Sequence, residues 1–335
     1  MSKKVCIVGG AGFIGHNIAK NLSKLGYKIL IIDSLAVNNY NSLISDNIPN
    51  PKLSKFILDE RMEILKNDKN IEILYHDARD YHLLSRTISD FHPKVLIQLA
   101  AVSHANRSNK DPFSTFDNSL RTLENALDAS KNFIEHFIYF SSSMVYGNFK
   151  KDKVDEDTIC EPIGIYGALK LAGEIIVKSY GNVFNLPYTI VRPSALYGER
   201  CVSRRVGQIF IENALTDKPI NIKGDGSEEL DFTYIEDLVE GIRLIIENKK
   251  SINQVFNLTY GSSNSINALS EILIDNFSNL KINYTEKEPF TPKRGTLDIT
   301  KAKTLLGYNP SNPIHTAYPK YIEWYKELWK NFNIL

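Results

Sequence analysis

One short run near the start of the chain limits its possible folds more than any other feature. Gly9-Gly10-Ala11-Gly12-Phe13-Ile14-Gly15 stands between an apolar stretch, Val5-Cys6-Ile7-Val8, and apolar residues at helical spacing, Ile14, Ile18, Leu22 and Leu25. Glycines alone make turns. Set between a strand and a helix they do more: Gly9 allows a tight turn, Gly12 lets backbone approach a pyrophosphate, and Gly15 lets the helix pack closely on the strand. The N–H groups of Phe13 and Ile14 then open a helix whose positive dipole end favours an anion. An acid, Asp33, closes the next strand, placed to accept from both hydroxyls of an adenosine ribose. Its charge repels a 2′-phosphate, and Ser34-Leu35-Ala36-Val37 offers no Arg or Lys to welcome one. The motif therefore predicts NAD rather than NADP.

Strand-like apolar runs recur at residues 3–8, 28–33, 71–77, 95–100, 136–142 and 188–194, with helical stretches between them. They are too continuously apolar to have a wet face. This predicts an α/β chain with a doubly wound parallel sheet, covered by helices on both sides, and a smaller C-terminal α/β lobe. The expected division is residues 1–193 as the NAD-binding domain, also receiving parts of about 225–260, and 194–335 as mainly the substrate-binding lobe. Residues 34–76 exceed what one crossover helix requires. Within them, Leu53, Phe56, Ile57 and Ile64 have helical spacing. A tolerated surface insertion is the expected reading; a cover near the adenine end of the cofactor, or an oligomer contact, is the alternative.

Composition excludes several classes. Of 335 residues, 40 are Lys or Arg and 39 Asp or Glu, and a net charge of +1 gives no electrostatic footprint for nucleic acid or an anionic membrane. Apolar stretches such as residues 95–102 fall short of the roughly 18–20 residues of a membrane span. No signal-peptide pattern follows Met1-Ser2-Lys3-Lys4. Cys6, Cys160 and Cys201 make neither an even disulfide framework nor a metal-ligand spacing. A cytoplasmic, metal-free protein is expected.

A second signal is Tyr166-Gly167-Ala168-Leu169-Lys170. Residues four apart share a helix face, so a phenol and an ammonium point into one space. A phenol with a pKa near 10 is a poor base at neutral pH, and a nearby cation favours its ionised form. Ser141-Ser142-Ser143 ends the fifth strand, and a doubly wound sheet binds ligands beyond the carboxyl ends of its strands. A serine hydroxyl there is placed to join the Tyr and Lys.

With these residues in order, the chain resembles the extended short-chain dehydrogenases/reductases that epimerise, dehydrate or oxidise nucleotide sugars. The likeness runs almost end to end, through Gly9–Gly15, Asp33, Asp77-Ala78-Arg79-Asp80, Gln98-Leu99-Ala100-Ala101, Asn118, Ser142, Val145-Tyr146-Gly147, Tyr166, Lys170, Arg192-Pro193, Tyr197-Gly198, Gly224-Asp225-Gly226, Asp231-Phe232 and Asp298-Ile299-Thr300-Lys301-Ala302. It implies a Rossmann fold with Ser142, Tyr166 and Lys170 as catalytic residues. Asp77 and Ala78 would flank the adenine, and Leu99, Ala100 and Ala101 line the cofactor. Ser34, Asn118 and Pro193 complete that set, and Lys170 also holds the nicotinamide ribose. Ser103, His104, Ser142, Ser143 and Ser194 would face the sugar. Arg200, Arg204, Arg205 and Arg294 are the candidates for its diphosphate, since a guanidinium fork matches phosphate oxygens. The resemblance further implies a homodimer through helices around 117–130 and 166–180, and a place in surface-polysaccharide sugar biosynthesis.

Departures from the family pattern narrow the reaction. Dehydratases of the family carry Asp-Glu directly after the catalytic hydroxyl residue, and some epimerases carry a Cys two residues after it. Ser143 and Met144 stand in those places. The family's Asn three residues after the strand's Arg is Ala195, and its Arg before Asp-Phe is Leu230. What remains is oxidation of a sugar hydroxyl, at C4 in most of the family. Return of the hydride to the other face gives a C4 epimerase; release of the ketosugar gives a dehydrogenase. A silent NAD-binding sensor is a third reading, disfavoured by the intact Ser, Tyr and Lys.

Overall fold

The computed structural model describes residues 3–45, 50–102, 105–287 and 292–334. Seven strands form one parallel sheet: β1 (Lys4–Val8), β2 (Lys28–Ile32), β3 (Ile71–Leu74), β4 (Val95–Gln98), β5 (His136–Phe140), β6 (Tyr188–Arg192) and β7 (Gln254–Asn257). Their spatial order is β7-β6-β5-β4-β1-β2-β3. Successive residues on a strand face opposite sides, and here both sides are dry. Val5, Ile7, Ile29, Ile31, Ile97 and Ile138 enter one core; Cys6, Val8, Leu30, Ile32, Leu96 and Phe137 enter another. That is why these strands read as unbroken apolar runs.

The first core is covered by α1 (Phe13–Lys24), α2 (Pro51–Lys66) and α7 (Ile235–Glu247), through Ile18, Leu22, Ile57, Leu238 and Ile242. The second lies under α3 (Tyr81–Phe91), α4 (Thr122–Ser130) and α5 (Ile165–Phe184), through Leu84, Ile88, Leu123, Leu127 and Val177. The lobe beyond β6 contains α6 (Val206–Leu215), α8 (Ile266–Asn276) and α9 (Ile314–Ile334), with short strand pairs between them. The chain returns from this lobe to add β7 beside β6. Among the described residues no helix is long and apolar enough to cross a membrane.

The order of strands reverses at β1, which pairs with β2 on one side and β4 on the other. Val8 stands opposite both Ile32 and Gln98. Gly9, Asp33 and Leu99 therefore leave the sheet side by side, which is where a doubly wound sheet opens its ligand crevice. The strand expected at 71–77 stops at Leu74, opposite Ile32, where its neighbour β2 also ends; the Asp33 N–H makes the last bond, to the Leu74 carbonyl at 3.1 Å.

The insertion departs from expectation. It is not a surface appendage: Leu53, Ile57, Leu58 and Leu65 of α2 are at most 1% exposed and belong to the first core. Apolar burial on this scale makes α2 part of the foundation. Ile57→Ala is expected to lower stability by about 2–5 kcal/mol in a denaturant titration, the usual loss for a large-to-small core change. A surface insertion would lose no more than about 0.5 kcal/mol.

Candidate active site

The glycine turn is shaped by contact. Gly9 has φ +83°, and a Cβ there would lie 2.6 Å from the Ala100 nitrogen on the neighbouring strand end. A Cβ on Gly15 would meet the Gly10 Cα at 2.5 Å, so α1 reaches the turn only because both residues lack side chains. No acid stands in the first turn of α1 to neutralise its positive end. The cleft above it is lined by Gly9, Gly12, Phe13, Ile14, Gly15, Asp33, Ser34, Asp77, Ala78, Leu99, Ala100, Ala101 and Asn118. Asp33 Oδ2 accepts from the Ala11 N–H at 2.9 Å, and Oδ1 from the Leu35 N–H at 2.8 Å. Burial raises its carboxyl pKa, and these two N–H groups with the Arg61 charge oppose that rise. Each carboxylate oxygen keeps a lone pair for a ribose hydroxyl. Elsewhere in the lining, Arg79 holds Asp77 below the ordinary carboxylate range through paired hydrogen bonds.

The catalytic candidates meet at the ends of β5 and β6. Ser142 Oγ caps the turn that follows, accepting from the Met144 N–H at 3.2 Å, and it is hydrogen-bonded to Tyr166. The Ser143 N–H donates to the Pro193 carbonyl at 2.9 Å, which fixes the serine turn against β6 and its buried neighbour Ser194. Lys170 Nζ donates to the Phe140 carbonyl at 2.7 Å and lies 5.9 Å from the Tyr166 ring centre. Burial draws its pKa down to about 8, against the pull of Glu174. Here the structure differs from the sequence expectation. Burial raises the Tyr166 pKa, and the influences opposing it are the Arg205 charge and the Ser142 hydrogen bond.

Beneath the trio lies a buried ion pair that spacing alone does not disclose. Arg192 Nη2 meets Glu174 Oε2 at 2.7 Å, with both side chains at most 3% exposed. Ser141 Oγ donates to Glu174 Oε1 at 2.5 Å, and Arg192 Nη1 to the Tyr146 hydroxyl at 2.9 Å. Glu174 lies one helical turn beyond Lys170, so α5 is tied to the ends of both strands that present the site. A signal did exist in the sequence: a Glu at i+4 from Lys170, on its face of the helix.

The arginine candidates separate. Arg200 pairs with Glu60 of α2 at 2.5 Å and lies over the Trp324 ring. Arg204 pairs with the buried Glu212 at 3.0 Å. Arg205 lines the cofactor cleft and acts on both Tyr166 and Arg294. Arg294 pairs with Glu228 at 3.1 Å, and among the described residues its buried Nε has no partner. It also lines a second cavity with Lys151, Lys153, Lys223 and Lys287. Ser103 and His104 lie outside the described residues. Sequence reasoning missed Arg61, which enters the cofactor cleft from α2.

A backbone cradle open only to glycine, an acid hydrogen-bonded to it and a Ser-Tyr-Lys set beyond the strand ends fit a bound dinucleotide. The profile of the NAD dependent epimerase/dehydratase family matches residues 5–259. The chain belongs to that family. The structure of UDP-glucuronic acid 4-epimerase from Bacillus cereus, in complex with UDP-glucuronic acid and NAD, is similar with a TM-score of 0.85 and 29% identity, covering 97% of this chain and 99% of that one. UDP-N-acetylglucosamine 4-epimerase from Methanobrevibacter ruminantium M1 gives 0.83 and 26%, with 97% and 99% covered. The bovine (Bos taurus) dTDP-D-glucose 4,6-dehydratase is 25% identical over 98% of this chain and 91% of its own length. Fold, NAD dependence and membership among the extended nucleotide-sugar enzymes are thereby established; the family itself spans epimerases and dehydratases.

Tyr166→Phe is expected to retain NAD and lose about 10²–10⁴-fold in kcat, as removal of a general acid–base group does. Arg205→Met leaves the phenol in place but removes the cation opposing its raised pKa. The rising limb of its pH–rate profile should move to higher pH, because a less acidic phenol ionises later.

Proposed function

We propose that the protein epimerises a nucleotide-diphosphate sugar at C4, with NAD reduced and regenerated within each turnover. The observation that carries this reading is the set Ser142, Tyr166 and Lys170 standing beside Ser143 and Met144. One group able to move a proton to and from a sugar oxygen is present, and no acid–base pair for a second carbon stands in the adjoining positions. NAD, when bound, supplies the acceptor and donor of the hydride. Tyr166 takes the proton of the C4 hydroxyl and later returns it. Ser142 hydrogen-bonds the same oxygen, and Lys170 supports the phenolate and the nicotinamide ribose. Arg205 and Arg294 receive the diphosphate through guanidinium–phosphate bonds. The likeness to the Bacillus cereus 4-epimerase supports the reading and makes UDP sugars the first probes. Supply of a sugar donor for surface-polysaccharide synthesis is the role this chemistry suits.

The test is turnover in heavy water with UDP-glucose, UDP-N-acetylglucosamine and UDP-glucuronic acid. A C4 epimer should form with no deuterium at C3 or C5, its C6 oxidation state unchanged, and no net absorbance at 340 nm. Deuterium at C5, or a 6-deoxy-4-keto product, would overturn the reading in favour of dehydration. A released ketosugar with stoichiometric absorbance would make the protein a dehydrogenase.

The same reading includes a homodimer through residues 117–130 and 166–180. Phe113 and Phe116, just before the first segment, are 84% and 49% exposed, and Ile175, Val183 and Phe184 of α5 are 58%, 69% and 44% exposed. Exposed apolar groups on and beside these segments are what a partner subunit would cover. Light scattering on the eluting protein should give twice the chain mass, and Ile175→Glu should shift it to the monomer; a monomeric parent would remove the dimer from the proposal.

A further inference from the structure

The insertion closes on the turn that receives the cofactor. Ala11 lies within the glycine turn, and its carbonyl accepts from Arg61 Nη1 at 3.1 Å and Asn39 Nδ2 at 3.2 Å. Its N–H donates to Asp33 at 2.9 Å. Both carbonyl partners come from the inserted segment, and both are at most 1% exposed. A carbonyl oxygen has two lone pairs, and here both are engaged. The peptide that follows is planar, so holding the Ala11 oxygen also sets the direction of the Gly12 N–H and the approach of the chain into α1. The amides of Phe13 and Ile14 are aimed by that approach.

Arg61 has a second hold. Its Nη2 donates to the Arg200 carbonyl, and the adjacent Glu60 pairs with the Arg200 guanidinium at 2.5 Å. From Arg200 the chain runs on to Val202, Ser203 and Arg205, which line the same cleft. One guanidinium therefore joins the glycine turn to the segment that carries Val202, Ser203 and Arg205. The arrangement is expensive as packing. Among the described residues no carboxylate forms an ion pair with Arg61 and its buried Nε has no partner, and burial pulls its pKa down to about 10. An apolar side chain would fill the space at less desolvation cost, so what Arg61 provides is the fixed position of two carbonyls around the cleft.

We propose that Arg61, assisted by Asn39, is a positioning residue for the cofactor, holding the glycine turn and the 200–205 loop so that NAD stays in place from one turnover to the next. This rests on the NAD dependence of the family and deepens the proposed reaction, in which the reduced cofactor must not leave before the ketone is reduced. The closing experiment reads NAD binding without any sugar, so its outcome is separate from the question of which carbon reacts.

The measurement is the NAD dissociation constant of the cofactor-stripped full chain, for the parent, Arg61→Met, Arg61→Lys and Asn39→Ala, each with a thermal melt in the absence of NAD. Arg61→Met should bind NAD about 10–100-fold more weakly, the range set by losing a charged hydrogen bond or two. Arg61→Lys should recover part of the loss, and Asn39→Ala should weaken binding several-fold. Under an accepted sugar, the NAD concentration that restores half of the activity to the stripped enzyme should rise in step with the dissociation constant. Dissociation constants within twofold of the parent overturn the proposal, whatever the melting temperatures do; so does a fall in kcat with unchanged NAD affinity. If Arg61→Met fails to fold, Arg61→Lys and Asn39→Ala decide the matter by the same criteria.

Discussion

Everything in the site depends on the register of a parallel sheet. β1 is bonded to β2 and β4 with Val8 opposite both Ile32 and Gln98, so three loops leave the sheet at one level and turn apart. The same ladder continues through β5 and β6, where Phe140 stands opposite Val191, and brings the serine turn and Pro193 to the same edge. A one-residue slip in such a sheet would exchange the two cores. Burial on both faces is what forbids it, and the crevice inherits its geometry from that constraint.

The same burial governs the chemistry. A phenol and an ammonium in a dry site each resist ionisation: the structure raises Tyr166 and lowers Lys170. The charge state of the site is therefore set by surrounding groups as much as by the helical Tyr–Lys pair. Glu174 favours the Lys170 ammonium, while Arg205 favours the phenolate. Glu174 is itself held by Arg192 and Ser141. A helix fastened this firmly to two strand ends holds the Tyr166 phenol in a fixed place at the mouth of the crevice.

The insertion shows how a lobe and a cofactor domain become one machine. α2 contributes apolar residues to the main core, Arg61 to the cleft, Glu60 to the Arg200 pair, and Phe56 to an edge contact with Phe332 of α9. Asn50, which precedes α2, reaches Glu212 of α6 at 3.3 Å. These contacts join parts of the chain far apart in sequence, on the side of the sheet where the glycine turn lies.

What the sequence by itself determined was local or periodic. The glycine spacing, the acid after the second strand, the Tyr–Lys interval and the unbroken apolar strands were legible because turn geometry, helical repeat and two-sided burial each leave a pattern in neighbouring residues. The α/β class, the NAD preference, the glycine turn and Asp33 follow from those patterns, while Ser34, Asp77, Ala78, Leu99, Ala100, Ala101 and Asn118 were legible only through the resemblance to a family. Which arginine faces the phenol, that Arg200 and Arg204 turn instead to Glu60 and Glu212, that Glu174 meets Arg192, and that Arg61 closes on Ala11 were decided only by tertiary structure. Each of those contacts is made between side chains distant along the chain, or by charged groups whose partners are chosen by the space that packing leaves. Such a choice has no period, so no sequence pattern announces it.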